Sequence, residues 1–299
     1  MMNKMKSNLK TVLLSAFALC AGCVPSEPYG VQSATNSTTQ SSRVSFGDFT
    51  YNSMERGPRL AFFPKSRNQP SSYELVYEDP FSNSRDTAVH RFTVAPGVCG
   101  NERDRGDCGD DPTGRSLKSV RSELSENNHM GTRFGRVQPR EAVYQWEVGF
   151  PSGFPIGPRQ ASGYYTFGQW HNGQCPHMNI GNWINNDDHQ LHLRVNEIIP
   201  GHRFGDCQPA ISIPIIDVRS IEGGWASFRV DVRWSASDDG YAKVYVNDQL
   251  RVNYEGRTLV PEYVGRNHFD FGIYLANTND LDAVRSGTLY YRNVRRANR

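Results

Sequence analysis

The chain has 299 residues, with 33 Lys and Arg against 31 Asp and Glu and a formal net charge of +2. Residues 1–23 contain three lysines and no acidic residue, so the rest of the chain has 30 basic residues against 31 acidic ones. A near-neutral chain has no overall field that attracts a polyanion or a membrane, so nucleic acid is not an expected partner. Any acidic ligand must therefore be held by a local cluster of charges.

A short leader opens the chain. The three lysines precede an apolar run over 12–19, which ends at Ala-Gly-Cys, with Cys23 last. This layout predicts a secretory signal peptide over residues 1–23, and the run is too short to cross a bilayer. Its end resembles the bacterial lipobox, which implies cleavage before Cys23 and a lipid on that cysteine. We expect an exported protein that meets the membrane only through its lipid anchor. Because Val24 is not the aspartate that favours the inner membrane, we expect the outer membrane.

Two segments follow the leader. Residues 24–42 are rich in Ser, Thr, Asn, Gln and Pro and contain little to bury, which predicts a flexible tether. Residues 43–299 have the length of one large β-sandwich and show neither a second linker nor an internal repeat. We expect a single β-domain there, and a monomer.

Four cysteines lie beyond the leader, at Cys99, Cys108, Cys175 and Cys207. An even number of cysteines in an exported protein predicts disulfides, and three pairings are possible. Pairing of Cys99 with Cys108 and of Cys175 with Cys207 is favoured, because short loops cost less entropy to close. A catalytic thiol is not expected where every cysteine has a potential partner.

Alternation of apolar and polar residues is the clearest structural pattern. It runs over 226–234, resumes over 242–246 after an Asp-Asp-Gly turn, and continues over 250–254 after Asn247-Asp248. These segments predict an antiparallel meander. Many short strands with Gly and Pro turns indicate an all-β sandwich or jelly roll. Further strands are predicted at 142–150, 164–170, 190–195, 268–275 and 288–294.

Three strand-like segments carry polar residues two positions apart, which places both side chains on one face of a strand. They are Arg-Ser-Glu from 121, Gln-Trp-His from 169 and Asp-Phe-Gly-Ile-Tyr from 270. On neighbouring strands of a concave sheet, their polar side chains would converge on one groove. A simple cross-strand ion pair and a half-buried strand tyrosine are the alternatives. The candidate groove residues are Arg121, Glu123, Gln169, His171 and Tyr274.

This set fits removal of the C5 proton of a uronic acid, a step that requires the neighbouring carboxylate to be neutralised. Arg121 and Gln169 can supply positive charge and hydrogen bonds where negative charge develops. His171 can add a further donor or act as the base. Tyr274 can protonate the leaving glycosidic oxygen, and can also take the C5 proton if both lie on the same side of the ring. The scheme requires no metal or other cofactor.

The three segments resemble the Arg-Ser/Thr-Glu, Gln-x-His and Gly-x-Tyr motifs of the jelly-roll polysaccharide lyases, in the same order. That group includes alginate lyases, glucuronan lyases and heparin lyase I. The hairpin that turns at Asn247-Asp248 also resembles the concanavalin-like sandwich. The resemblance implies such a fold with a concave substrate groove, and a lyase that cleaves an acidic, uronic-acid-containing polysaccharide by β-elimination. It also implies that Glu123 orients Arg121.

The chain departs from the alginate lyase pattern at three positions. His268, Asp270 and Ala276 stand where alginate lyases tend to have Tyr, Lys and Gln. An acidic Asp270 on the groove face would repel a polyuronate, which puts alginate in doubt. Glucuronan-like and glycosaminoglycan-like substrates remain open.

Further candidates are less specific. His129, Arg133 and Trp170 are candidate substrate-binding residues, and a solvent-exposed loop histidine is the alternative for His129. A metal site is not indicated, because a strand would point His189 and His192 to opposite faces. The Asp-rich stretch 104–111 suits either a structural Ca²⁺ or a solvated disulfide loop.

Two other classes of protein compete with a lyase. A retaining glycoside hydrolase needs paired carboxylates, which no strand offers, and there is no Gly-x-Ser-x-Gly elbow. A non-catalytic carbohydrate-binding lipoprotein of the same fold is the main alternative, with tryptophans and tyrosines stacking on sugars. It would not need Gln169, His171 and Tyr274 together. An envelope structural protein that kept the fold and lost the chemistry is a third possibility.

Overall fold

The computed structural model describes residues 62–64, 72–96, 118–126, 141–155, 164–171, 175–183, 189–199, 207–261, 267–278 and 285–298. The leader, Cys23, the tether, Cys99, Cys108, the stretch 104–111, His129 and Arg133 lie outside these residues. The regular structure of the described residues is almost entirely β-strand, with one 3-10 turn at Val218–Ser220. None of the described segments contains a helix long and apolar enough to span a bilayer.

Fourteen strands are described. In chain order they are β1 (Phe62–Pro64), β2 (Tyr73–Val76), β3 (Val89–Val94), β4 (Lys118–Glu126), β5 (Glu141–Phe150), β6 (Tyr164–His171), β7 (Met178–Trp183), β8 (Gln190–Ile198), β9 (Cys207–Asp217), β10 (Gly224–Arg233), β11 (Tyr241–Val246), β12 (Gln249–Glu255), β13 (His268–Thr278) and β14 (Gly287–Asn298).

The strands form two seven-stranded antiparallel sheets. The front sheet has the order β1-β4-β13-β6-β7-β8-β9, and the back sheet has the order β12-β11-β10-β5-β14-β3-β2. Strands distant in sequence are neighbours in both sheets, as in a jelly roll. The expected all-β jelly-roll sandwich is therefore confirmed.

Aromatic side chains fill the space between the sheets. Trp170 and Phe269 of the front sheet contact Tyr144 and Trp146 of the back sheet, with ring centroids 5.2 to 6.4 Å apart. Such rings bury large apolar areas and add favourable edge-to-face contacts. The core therefore fixes one face of each front-sheet strand and leaves the alternate positions for the other face.

The meander predicted from alternation is confirmed as β10, β11 and β12. Val246 pairs with both Phe228 and Gln249, so the β11–β12 loop contains only two residues. These are Asn247 and Asp248, which have φ of 50° and 62°. Two consecutive left-handed residues are typical of a type I′ hairpin turn, which Asn and Asp tolerate well.

The other predicted strands are also present, each with slightly longer bounds. No strand was predicted at β1, β2, β3, β7 or β9, and strand β9 shows a physical reason. It contains Pro209 and Pro214, and proline weakens a strand pattern because it cannot donate to the ladder. Strand β9 lies at the edge of the front sheet, where proline is tolerated.

One of the two expected disulfides lies among the described residues. Cys175 and Cys207 are bonded, with Cα atoms 5.9 Å apart. The bridge joins the segment before β7 to the start of β9, across the intervening β8. The favoured pairing of these two cysteines is therefore confirmed.

Removing this bridge will destabilise the fold. It closes a loop with a sequence separation of 32, and we expect Cys175→Ala/Cys207→Ala to lower the free energy of unfolding by about 2–4 kcal/mol. The measurement is urea unfolding of the wild type and the double variant. Equal unfolding midpoints would show that the bridge does not restrict the unfolded chain.

A buried histidine will make stability depend on pH. His90 of β3 is enclosed by Tyr73, Phe92 and Phe271, and burial lowers its pKa from 6.5 to about 4. Its Nδ1 lies 3.0 Å from the Tyr73 hydroxyl. Because the unfolded chain binds a proton that the folded chain excludes, stability is complete above pH 6.5 and is lost as pH falls toward 4. The loss approaches about 3 kcal/mol.

Urea unfolding between pH 7 and pH 4.5 tests this. We expect His90→Gln, which keeps an acceptor for Tyr73, to show a flatter pH profile than the wild type. Parallel profiles would show that His90 is not the group responsible.

Candidate functional site

The face of the front sheet that points away from the core is lined with polar side chains. On β4, β6 and β13 the alternate positions belong to the core, among them Val120, Trp170 and Phe269. The remaining positions carry the motif residues, so the sheet brings all three motifs to one surface. We call this surface the polar face. It includes Ser119, Arg121, Glu123, Gln169, His171, His268, Asp270 and Tyr274, together with Tyr164, Asn179, Arg194 and Asn196 on β6, β7 and β8.

Glu123 lies at the centre of a charged cluster. Its side chain is 0% exposed, and its Oε2 lies 3.4 Å from Nη1 of Arg121. Its Oε1 accepts a hydrogen bond of 3.0 Å from Nε2 of Gln169. A buried carboxylate requires such partners, because desolvation without compensation is costly. Glu123 therefore orients both Arg121 and Gln169, and a side-chain amide still has a second N–H for a ligand.

Tyr274 lies directly beside Arg121. The two residues are cross-strand partners, and the Arg121 guanidinium carbon is 4.0 Å from the centroid of the Tyr274 ring. The cation is attracted to the ring face. The Tyr274 hydroxyl is 3.2 Å from Oγ of Ser119. The structure thus places a phenol, a guanidinium and an amide in one cluster.

The structure explains why the Gly-x-Tyr motif begins with a glycine. Gly272 has φ of 135°, and a Cβ atom at this position would lie 2.8 Å from Cα of Glu123. The pairing of β13 with β6 shifts register between Phe271 and Tyr274, which is a bulge of the kind that redirects a side chain. The hydroxyl of Tyr291, from the back sheet, donates to the Phe167 carbonyl and also lies 3.2 Å from the Gly272 carbonyl.

His171 lies on the polar face at the end of strand β6. It is the cross-strand partner of His268, and their ring centroids are 5.7 Å apart. Tyr274 pairs instead with Thr166, five residues before His171 on β6. Five residues of a strand span about 16 Å. Gln169, two residues from His171 and three from Thr166, lies between them on β6, so the polar face carries Gln169 between His171 and the row of Tyr274.

Asp270 belongs to the floor of the polar face. Its side chain is fully buried, and its Oδ1 lies 3.6 Å from Nε2 of His268. It pairs in register with Gln169. The acidic side chain expected on the groove face is therefore covered in this structure, with His268 beside it.

Strands β6, β7 and β8 add polar residues that the sequence did not single out. Burial lowers the pKa of Arg194 to about 10, so this guanidinium is still charged at neutral pH. Its Cζ lies 5.5 Å from the ring of Tyr164. Burial, followed by the charge of Tyr274, raises the pKa of the Tyr164 hydroxyl.

Alternation of polar and apolar residues in the sequence could have identified these polar residues. Gln190, His192, Arg194 and Asn196 alternate with Leu191, Leu193 and Val195 along β8, which marks a polar face without revealing its neighbours. Asn179 alternates in the same way between Met178 and Ile180 on β7.

One candidate binding residue is wrong. Trp170 is 0% exposed and points into the core, where it contacts Tyr144, Trp146 and Phe269. A sugar on the polar face cannot reach its ring. His129 and Arg133 lie outside the described residues, and no group of three or more His, Cys, Asp or Glu side chains among the described residues is arranged to hold a metal.

Comparisons with known proteins agree with the fold. A protein-family model described as polysaccharide lyase matches residues 47–295. A search of curated protein sequences finds no match. Among solved structures, the endo-β-1,4-glucuronan lyase from the fungus Trichoderma reesei is similar, with a TM-score of 0.53 and 15% identity over 79% of this chain and 90% of that chain.

Two further solved structures are similar. A family 7 alginate lyase, A1-II′, in complex with product, has a TM-score of 0.50 and 11% identity over 81% of this chain and 95% of that chain. The GH131 β-glucanase catalytic domain from Podospora anserina has a TM-score of 0.46 and 10% identity over 81% and 85%. The likeness to the two lyases shows a shared jelly-roll fold.

Proposed function

This chain belongs to the polysaccharide lyase family, and we propose that it cleaves a uronic-acid-containing polysaccharide by β-elimination. The observation that carries the proposal is the contact between Arg121 and Tyr274, 4.0 Å from guanidinium to ring centroid. It sets a permanent cation against a group that can transfer a proton. Unlike the similar contact of Arg229 with Tyr245 on the back sheet, this pair lies beside buried Glu123, which also holds Gln169.

Neutralisation of the substrate carboxylate is the first requirement of the reaction. As the C5 proton leaves, negative charge spreads onto the carboxylate, and donors already in place stabilise that charge most effectively. Arg121 is held by Glu123, so its guanidinium needs no reorganisation. The second N–H of Gln169 adds a neutral donor. This chain's own side chains supply the neutralisation, and the scheme needs no metal.

Proton transfer is the second requirement. In the proposed step the Tyr274 oxygen accepts the C5 proton, the C5 electron pair forms the C4–C5 double bond, and the bond from C4 to the glycosidic oxygen breaks. The same hydroxyl then protonates the leaving oxygen, if both lie on one side of the ring. The base is therefore the Tyr274 phenolate, which Arg121 stabilises before the first transfer and after the second, and between the two transfers Tyr274 is a neutral phenol.

Of its two possible roles, hydrogen-bond donor and base, His171 has the role of donor. Because it lies with His268, about five strand positions from the row of Tyr274, we propose that it donates to an acidic group of the bound polymer. If His171 were instead the base, its removal would have as large an effect on kcat as removal of the Tyr274 hydroxyl.

Substrate identity and location are further parts of the proposal. The pair of His268 and Asp270, where alginate lyases tend to have Tyr and Lys, favours glucuronan-like or glycosaminoglycan-like polymers over alginate. Export and lipidation at Cys23 fit a polymer that is encountered outside the cytoplasm.

The test is ultraviolet absorbance of the unsaturated uronate product. Purified protein is incubated with glucuronan, alginate, heparin, hyaluronan and pectate in separate reactions. We expect a rise with at least one polymer and none with a neutral glucan. No rise with any polymer, together with retained polysaccharide binding, would favour a non-catalytic carbohydrate-binding protein.

A further inference from the structure

A row of polar residues extends the candidate site across the front sheet. Gln169 on β6 pairs in register with Asn179 on β7, and Asn179 pairs with Arg194 on β8. Residues directly opposite each other on neighbouring strands point to the same face. Since neighbouring strands are about 4.8 Å apart, Arg194 lies about 10 Å from Gln169 along this row. A polymer that lies across the strands at Gln169 would continue toward Arg194.

The far end of the row is a cavity. A cavity of about 40 Å³, open to solvent, is lined by Tyr164, Asn179, Arg194 and Asn196, with the disulfide residue Cys207 in its wall. Asn196 Nδ2 donates to the Pro176 carbonyl at 2.9 Å, which fixes that wall. The cavity therefore has a rigid polar floor.

Arg194 is the charged side chain among the described residues that line this cavity. Arg194 is only 2% exposed, and the other described side chains that line the cavity are neutral. Burial lowers the pKa of Arg194 only to about 10, so it keeps its charge at neutral pH. A guanidinium offers parallel donors that match the two oxygens of a carboxylate.

We propose that Arg194 and Asn179 bind the carboxylate of a second uronate, next to the sugar whose glycosidic bond is cleaved. This inference rests on the proposed function, because it takes the cluster of Arg121, Gln169 and Tyr274 as the site of cleavage. Arg194 is then a determinant of specificity for consecutive acidic sugars. A polymer with one acidic sugar between neutral ones would lose this contact.

The first experiment separates KM from kcat in the variant Arg194→Gln with the polymer that the wild type cleaves. Loss of a hydrogen-bonded charge contact should raise KM roughly 10- to 100-fold and leave kcat within about twofold. Arg194→Lys keeps the charge without the fork and should raise KM less. Arg229→Gln is the matched control, because Arg229 lies 3.8 Å from the Tyr245 ring on the back sheet. Its KM should equal that of the wild type.

A second experiment does not depend on turnover. Binding of acidic oligosaccharides and of their carboxyl-reduced forms is measured by calorimetry in Tyr274→Phe, with and without Arg194→Gln. We expect the second substitution to weaken binding of the acidic forms at least tenfold and to leave the reduced forms unchanged. An equal effect on both forms, or none, would overturn the assignment.

The two proposals can fail separately. If the wild type cleaves no polymer but Arg194→Gln still weakens binding of acidic oligosaccharides selectively, the carboxylate site stands and β-elimination fails. If cleavage is confirmed but KM is unchanged in folded Arg194→Gln and Arg194→Lys, the carboxylate site fails and β-elimination stands. Circular dichroism establishes that each variant is folded.

Discussion

Tyr274→Phe should reduce kcat by about 10²- to 10⁴-fold, the range over which a positioned acid or base acts. The substitution removes one oxygen atom and keeps the ring against which Arg121 lies. Binding of the polymer should therefore change little, because Arg121, Gln169 and Glu123 keep their contacts. The measurement is the initial rate of product absorbance across substrate concentrations, together with calorimetric binding of an acidic oligosaccharide.

The matched control for this experiment is Tyr245→Phe on the back sheet. Tyr245 also lies under an arginine, with the Arg229 guanidinium 3.8 Å from its ring, so the same hydroxyl is lost from the same kind of pair. We expect its kcat to equal that of the wild type. If Tyr274→Phe retained more than about a tenth of kcat, Tyr274 would not be the proton-transfer group. His171→Ala would then be the next variant to test as the base.

Arg121→Gln should have the second largest effect, on both stability and activity. Glu123 is fully buried, and removal of one partner from a buried ion pair costs about 3–5 kcal/mol, because the other charge is left uncompensated. Loss of the cation that faces the developing charge should lower kcat/KM by about 10²- to 10³-fold. Thermal unfolding and initial rates measure the two effects.

The double variant Arg121→Gln/Glu123→Gln separates the two effects. Both charges are then absent, so most of the lost stability should return, since a neutral pair carries no buried charge. Activity should stay low, because no cation faces the carboxylate. Recovery of activity together with stability would show that Arg121 only supports the fold. A fully stable Arg121→Gln single variant would show that Glu123 does not depend on this ion pair.

The candidate site could be predicted only in part, and the cause is physical. Alternation along a strand states which side chains share a face, and it placed Gln169 and His171 on one face of β6. It does not state how far apart residues on different strands lie. His171 and Tyr274 were expected to share a face, and only the register of β6 against β13 shows that Tyr274 lies opposite Thr166 while His171 lies opposite His268.

Trp170 illustrates the same limit in a single side chain. It was a candidate for sugar binding because tryptophan rings can stack on sugars. The strand period points it the other way, into the aromatic core. Aromatic residue type alone does not distinguish a sugar platform from a core residue, because both bury large apolar area.

The features that could be predicted from the sequence alone are those that depend on local interactions. Strand alternation, the Asn247-Asp248 turn and the three short motifs depend on interactions within a few residues, so they indicated an all-β chain and a set of candidate site residues. Only the tertiary structure decided which of those side chains meet. Strands β4 and β13 lie about 150 residues apart in the chain, and their pairing places Arg121 beside Tyr274. The row that leads to Arg194 likewise depends on the registers of three strands, which nonlocal packing sets.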